Sequence, residues 1–277
     1  MTIKIGVMQG RLSSPIHDTI QAFPENSWEQ EFELAQKIGL DSIEWIFDTY
    51  EKNPIMDNRL EKIKERISKY KINVNSVCAD YFMVNNLFNE SDNNINKNLE
   101  VLKKLAVNCN KIGIKMIDIP LVDNSSLKSE QNKKELVDNL ERILPELQDL
   151  EIIITLETDL PPNQFIELLN RFENISVYAN YDTGNSASLG FNVNEELEIL
   201  KNKIKNIHVK DRMLYGKTVP FGSGDTNFED FFKMLKGIKY SGDLIIQGAR
   251  EEGLVPEENC LKYLNFTKQY LDKHHIK

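Results

Sequence analysis

Eight short apolar runs alternate with longer amphipathic stretches from one end of this chain to the other, and that alternation limits the folds open to it. The runs cover residues 3–8, 42–47, 73–78, 115–120, 152–156, 176–181, 206–209 and 244–247. They are short and rich in Ile and Val, as strands buried on both faces must be. Strands alternating with helical segments imply a parallel sheet with crossover helices. Eight such units in 277 residues predict a single (β/α)8 barrel spanning residues 1–277. An open doubly wound sheet is the structural alternative, but no GxGxxG follows the first run. No linker, low-complexity tract or second domain interrupts the pattern.

The amphipathic stretches carry start and stop signals. Ser27 and Gln30 are spaced as a capping box, and Gly39 sits where a C-cap glycine would end that helix. Gly113 plays the same part after a helix over 94–112. Pro161 and Pro162 open a helix running to about residue 171, and a last helix covers 256–273. Two longer loops, 12–26 and the glycine-containing 215–227, are placed to cover a site.

Composition excludes several roles. With 34 basic and 43 acidic residues the formal net charge is -9. An acidic chain without a basic stripe is a poor nucleic-acid binder, because that binding rests on phosphate neutralisation. No run of 18 apolar residues predicts a membrane span, and the start MTIKIGVMQG does not read as a signal peptide. Cys78, Cys109 and Cys260 are widely spaced and odd in number, which predicts reduced, buried thiols in a cytoplasmic protein.

In a (β/α)8 barrel the functional side chains stand at the C-terminal ends of the strands. A polar residue that ends an apolar strand is costly to bury and needs a reason. Runs five to eight end in Glu157, Asp182, His208 and Gln247. Each has an ordinary structural explanation: a salt-bridge partner, a turn former before Thr183-Gly184-Asn185, a hydrogen-bonded core histidine, a spacer. Their conjunction on consecutive strands, about 4.8 Å apart, points instead to convergence on one divalent cation, Mn, Co, Zn or Mg. The set is too rich in oxygen for a structural zinc.

These residues lie in motifs that resemble the xylose-isomerase-like barrels, the superfamily of sugar isomerases and epimerases that includes the apurinic endonucleases and inosose dehydratases. The resemblance rests on GLDSIEW at run two, LET at run five, YDTGN at run six, HVKDR at run seven and the following GSGDTNF. It implies that Glu157, Asp182 and His208 bind one metal together with a strand-eight glutamate. This chain departs from the pattern at that fourth position, where it has Gln247. It also has Asn185 where several such epimerases place a histidine.

The resemblance implies proton removal beside a carbonyl, with the metal stabilising the enediolate. Family epimerases use two carboxylates on opposite faces of the sugar. Gln247 can offer a carbonyl oxygen to a cation but cannot carry a proton. Glu157 is then the one strong base, which fits aldose–ketose isomerisation or dehydration of an inosose-like keto-sugar. Epimerisation needs a second group, and Glu44 at the end of run two is the candidate. Its plainer role is as a hydrogen-bond acceptor behind the site.

Lys210, Arg212 and Arg250 are candidates for holding an anionic substrate group, and the amides of Gly222-Ser223-Gly224 for cradling a phosphate. Their alternative role is pairing with Asp211, Asp225 or the metal-site acids. Gln9 and Arg11 are placed to reach substrate hydroxyls, and Trp45, Tyr81 and Phe82 to form an apolar wall. A three-metal nuclease site needs several histidines; of the four here (His17, His208, His274, His275) only His208 ends a core strand. A non-catalytic sugar-binding barrel is the rival of another class, though a decayed site has no reason to keep three of four ligands. The expected partner is a small sugar, with a homo-oligomer as in many relatives.

Overall fold

The structure, a computed structural model, describes residues 3–16, 21–172 and 176–277. Eight strands close into one barrel in sequence order: β1 (Ile5–Met8), β2 (Ser42–Ile46), β3 (Ser76–Cys78), β4 (Met116–Leu121), β5 (Ile153–Thr158), β6 (Val177–Asp182), β7 (Ile204–Val209) and β8 (Asp243–Ile246). All neighbours are parallel, and β8 pairs back onto β1. The predicted (β/α)8 barrel is therefore the fold. The largest boundary difference is at run 73–78, where Asn73 makes only an isolated bridge to Ser42 and the strand begins at Ser76.

The helices among the described residues are α1 (Trp28–Ile38), α2 (Leu60–Tyr70), α3 (Asp92–Ile112), α4 (Glu130–Glu141), α5 (Leu144–Asp149), α6 (Pro162–Leu169), α7 (Thr183–Leu189), α8 (Val193–Leu200), α9 (Phe228–Gly237) and α10 (Pro256–Lys273). Gly39 and Gly113 end α1 and α3 in the left-handed conformation, with φ of 84° and 87°. The Ser27–Gln30 capping box does not form. The Ser27 hydroxyl donates instead to Ser13 Oγ at 2.8 Å. Ser91 caps α3, accepting from the Asn94 amide, so that helix starts earlier than 94. No helix among the described residues is long and apolar enough to cross a membrane. Cys78, Cys109 and Cys260 are free and buried, as expected.

Successive side chains of a strand point to opposite faces. In β4, Ile117, Ile119 and Leu121 alternate with Asp118, and all four are buried. Asp118 accepts from Thr155 on β5 and Asn180 on β6, so it belongs to the barrel interior. That interior is unusually polar for a fold normally filled by branched apolar side chains. A lower layer links Asn75 and Ser42 to Asp243. An upper layer holds the charged groups described below.

Gly6 sits at the lower layer between β2 and β8. A Cβ there would run into Ser42 Oγ and come within 2.8 Å of Ile245 Cδ1. Overpacking of this kind costs about 1–3 kcal/mol. Gly6→Ala is expected to lower the thermal midpoint by several degrees in a calorimetric scan. An unchanged midpoint would mean that Ser42 and Ile245 move aside freely.

Candidate active site

A cleft of about 550 Å³ opens at the C-terminal ends of the strands. Six predicted residues line it: Glu157 from β5, Gln247 directly after β8, Lys210 directly after β7, Asn185 in α7, and the loop residues Arg11 and Arg212. Met83, Val84, Pro120 and Val122 supply its apolar wall. Of the loop predicted over 12–26, Gln21 reaches the cleft, while residues 17–20, with His17, lie outside the described residues. The loop over 215–227 borders the cleft through Lys217 and Thr218.

Beneath Glu157 lies His208, which is completely buried. Its Nδ1 is 2.9 Å from Glu157 Oε2 and 3.9 Å from Asp182 Oδ2, and its Nε2 is 3.2 Å from Glu44 Oε1. Burial alone would push the imidazole pKa down. The Glu44 charge and the Glu157 hydrogen bond outweigh it and hold the ring well above its ordinary value. Asp118 is raised well above the carboxylate range, first by burial and then by the Glu157 charge. Glu157 is braced on both oxygens: Asn185 Nδ2 donates to Oε1 at 2.6 Å and Asn180 Nδ2 to Oε2 at 3.0 Å. Arg212 in turn donates to Asn185 Oδ1 at 2.8 Å. Asp182 caps α7 through Oδ1, and its Oδ2 faces Lys210 Nζ at 2.7 Å.

Several predicted residues stand elsewhere. Trp45 is on the outward face of β2, its indole N–H on Asn53 and its ring against Phe23 and Trp28, so it is no wall for a sugar. Phe82 is buried and Tyr81 stacks on Phe47, both outside the cleft lining. Glu44 is enclosed under His208 and Asn206, out of reach of a ligand in the cleft. Gln9 accepts from the Ile46 amide and ties β1 to β2. Arg250 donates to the carbonyls of Gly10 and Ser13 and holds the loop after β1. The amides of Gly222 and Gly224 both donate to Asp211 Oδ2, and Thr226 N to its Oδ1, so this turn is closed on a carboxylate of its own chain.

Three site groups were missed by looking only at strand ends five to eight. Asp118, in the middle of MIDIPL, was legible as a lone acid within an apolar strand. Asp80 follows Cys78 at the end of β3, and the same strand-end rule applied there would have found it. Asn180, two residues before Asp182, had no comparable signal.

The donor set fits a cation. Glu44, Asp118, Glu157 and Asp182 crowd around one imidazole and one ammonium, so acidic groups outnumber basic ones. Donor atoms of Asp118, Glu157 and His208 all lie within 4.8 Å of one another. Gln247 Nε2 donates to Gln21, while its Oε1 is buried without a partner, as an oxygen waiting for a cation would be.

The sequence profile of the xylose isomerase-like TIM barrel family matches residues 32–269. The chain belongs to that family. Among its relatives is an L-ribulose-5-phosphate 3-epimerase of Shigella flexneri (strain 8401), 25% identical over 89% of this chain and 90% of that one. The enzyme of the same name from Escherichia coli (strain SMS-3-5) shows the same identity and coverage. Two solved structures share the fold. An L-ribulose 3-epimerase superposes with a TM-score of 0.80 at 13% identity, covering 99% of this chain and 96% of that one. The IOLI protein, crystallised with a binding zinc atom, gives 0.78 at 21% identity, covering 98% and 99%.

Proposed function

We propose that this chain is a divalent-metal-dependent sugar isomerase or epimerase that removes a proton from the carbon beside a carbonyl, with Glu157 as the base. One observation carries the reading: Glu157 is a carboxylate open to the cleft, yet fixed on both oxygens by Asn180, Asn185 and His208. A base held in one orientation loses little freedom in the reaction, which is how positioning lowers a barrier.

Glu157, Asp182, His208 and the Gln247 carbonyl oxygen would hold the cation, with Asp118 behind them. A bound Mn, Co, Zn or Mg ion would polarise the substrate carbonyl and stabilise enediolate charge. Glu157 takes the proton. Asn185 and Arg212 hold Glu157 in place, and the apolar wall limits water. Gln247 exchanges no proton with the substrate. A small sugar fits the cleft, and its phosphate ester is the first form to test, because the relatives act on a 5-phosphate. Arg212 and Lys217 put positive charge on one wall. Lys217→Ala is expected to raise KM for a phosphorylated sugar about two- to fivefold, as an exposed charge contact would. KM for the free sugar should not change; an equal rise for both would remove the phosphate from the reading.

The deciding experiment incubates metal-loaded protein with ketoses, aldoses, inososes and their phosphates in D2O and follows the sugars by NMR. Deuterium entering one carbon beside the carbonyl is expected. Absence of exchange into every sugar would contradict the reading, and loss of water would identify a dehydratase.

A further inference from the structure

Epimerisation needs an acid on the sugar face opposite Glu157, and Gln247 cannot be that acid. We propose that Asp80, which opens the 3-10 turn Asp80–Met83 after β3, is the second proton-transfer residue of this site. The inference rests on the sugar-epimerising reading above.

Asp80 lines the same cleft as Glu157, and its side chain is partly open to it. It follows β3, two of the eight strands round the barrel from β5, so Asp80 and Glu157 belong to different walls of the cleft. A hydrogen-bonded chain ties Asp80 to the departed position: Gln247 Nε2 donates to Gln21 Oε1 at 2.8 Å, and Gln21 Nε2 donates to Asp80 Oδ2 at 2.7 Å. The Cys78 thiol donates to Asp80 Oδ1 at 3.2 Å. These donors fix the carboxylate while leaving lone pairs for a substrate hydrogen. The two glutamine amides orient the acid without competing for its proton. Burial raises the Asp80 pKa to about 6, against the lowering by Gln21 and Cys78. That suits a group that both gives and takes a proton near neutrality.

The step balances. Glu157 takes the hydrogen of the reacting carbon as a proton, and the C–H electron pair enters the enediolate. The protonated Asp80 then gives its proton to the other face of that carbon. A new C–H bond forms, the carbonyl returns, and the configuration is inverted. Glu157 ends protonated and Asp80 ionised. Exchange with solvent resets them, or the reverse reaction uses them as they stand.

The test is Asp80→Asn, with Asp80→Ser as a second variant, assayed with manganese in D2O on pentuloses and hexuloses, free and phosphorylated. Inversion is expected to fall by about 10²–10⁴. Deuterium should continue to enter the reacting carbon of the recovered starting sugar, because Glu157 still removes and returns its proton on one face. Wild-type inversion rates in both variants would overturn the proposal. So would parallel loss of exchange and inversion, which would make Asp80 a structural support. A wild-type protein that isomerises but never inverts would overturn this inference alone. A wild-type protein that exchanges no sugar proton would overturn the proposed function and this inference with it.

Discussion

Glu157→Gln lowers kcat/KM for the sugar substrate by about two to four decades, or about 3–5 kcal/mol of transition-state stabilisation. The substitution preserves shape but removes the base and one proposed metal ligand together, so metal content is measured beside the rate: a variant that keeps its metal and loses the rate reports the missing base. The substitution also replaces one acceptor oxygen with a donor. Asn180 and Asn185 both donate to Glu157, so one of them loses that acceptor, although Asn180 keeps Asp118. The thermal midpoint should therefore fall slightly, by far less than would explain the rate. Steady-state rates and a melting curve on the same preparation separate the two effects. A variant within tenfold of wild type would show that another group removes the proton.

His208→Ala produces the largest loss of stability among the site substitutions. The imidazole lies between Glu44 and Glu157 and is completely buried. Removing it leaves those carboxylates and Asp118 facing one another with Lys210 as the remaining cation nearby. Removing one partner of a buried charge pair typically costs about 3–5 kcal/mol. Denaturant unfolding of metal-free protein measures it. Excess manganese should return part of the loss to the variant, because the surviving carboxylates still attract a cation. A loss under about 1 kcal/mol would mean that the cluster is not electrostatically coupled as its geometry implies.

The barrel was legible because its strands are buried on both faces and so read as short, mainly apolar runs. β3 was overextended because Val74 continues the apolar pattern, whereas Asn73 makes only an isolated bridge to Ser42 and continuous pairing begins at Ser76. The residues at the ends of β5 to β8 were legible because a polar group at such a place is costly. Trp45 was misplaced because strand period sets its direction, and Glu44, one residue earlier, already occupies the inward face. Gly222 and Gly224 misled because a turn of exposed amides looks the same in sequence whether a phosphate or Asp211 fills it. The bridge from Gln247 through Gln21 to Asp80 joins three distant segments, and no local pattern marks such a contact.

Diffraction from a crystal grown with manganese, recorded at a wavelength where the metal scatters anomalously, tests the assembly directly. One peak should lie about 2.0–2.6 Å from oxygens of Glu157 and Asp182 and a ring nitrogen of His208. The Gln247 carbonyl oxygen should turn towards it. No peak among these side chains, or one held elsewhere in the barrel, would contradict the metal centre and leave Glu157 without the partner its chemistry requires.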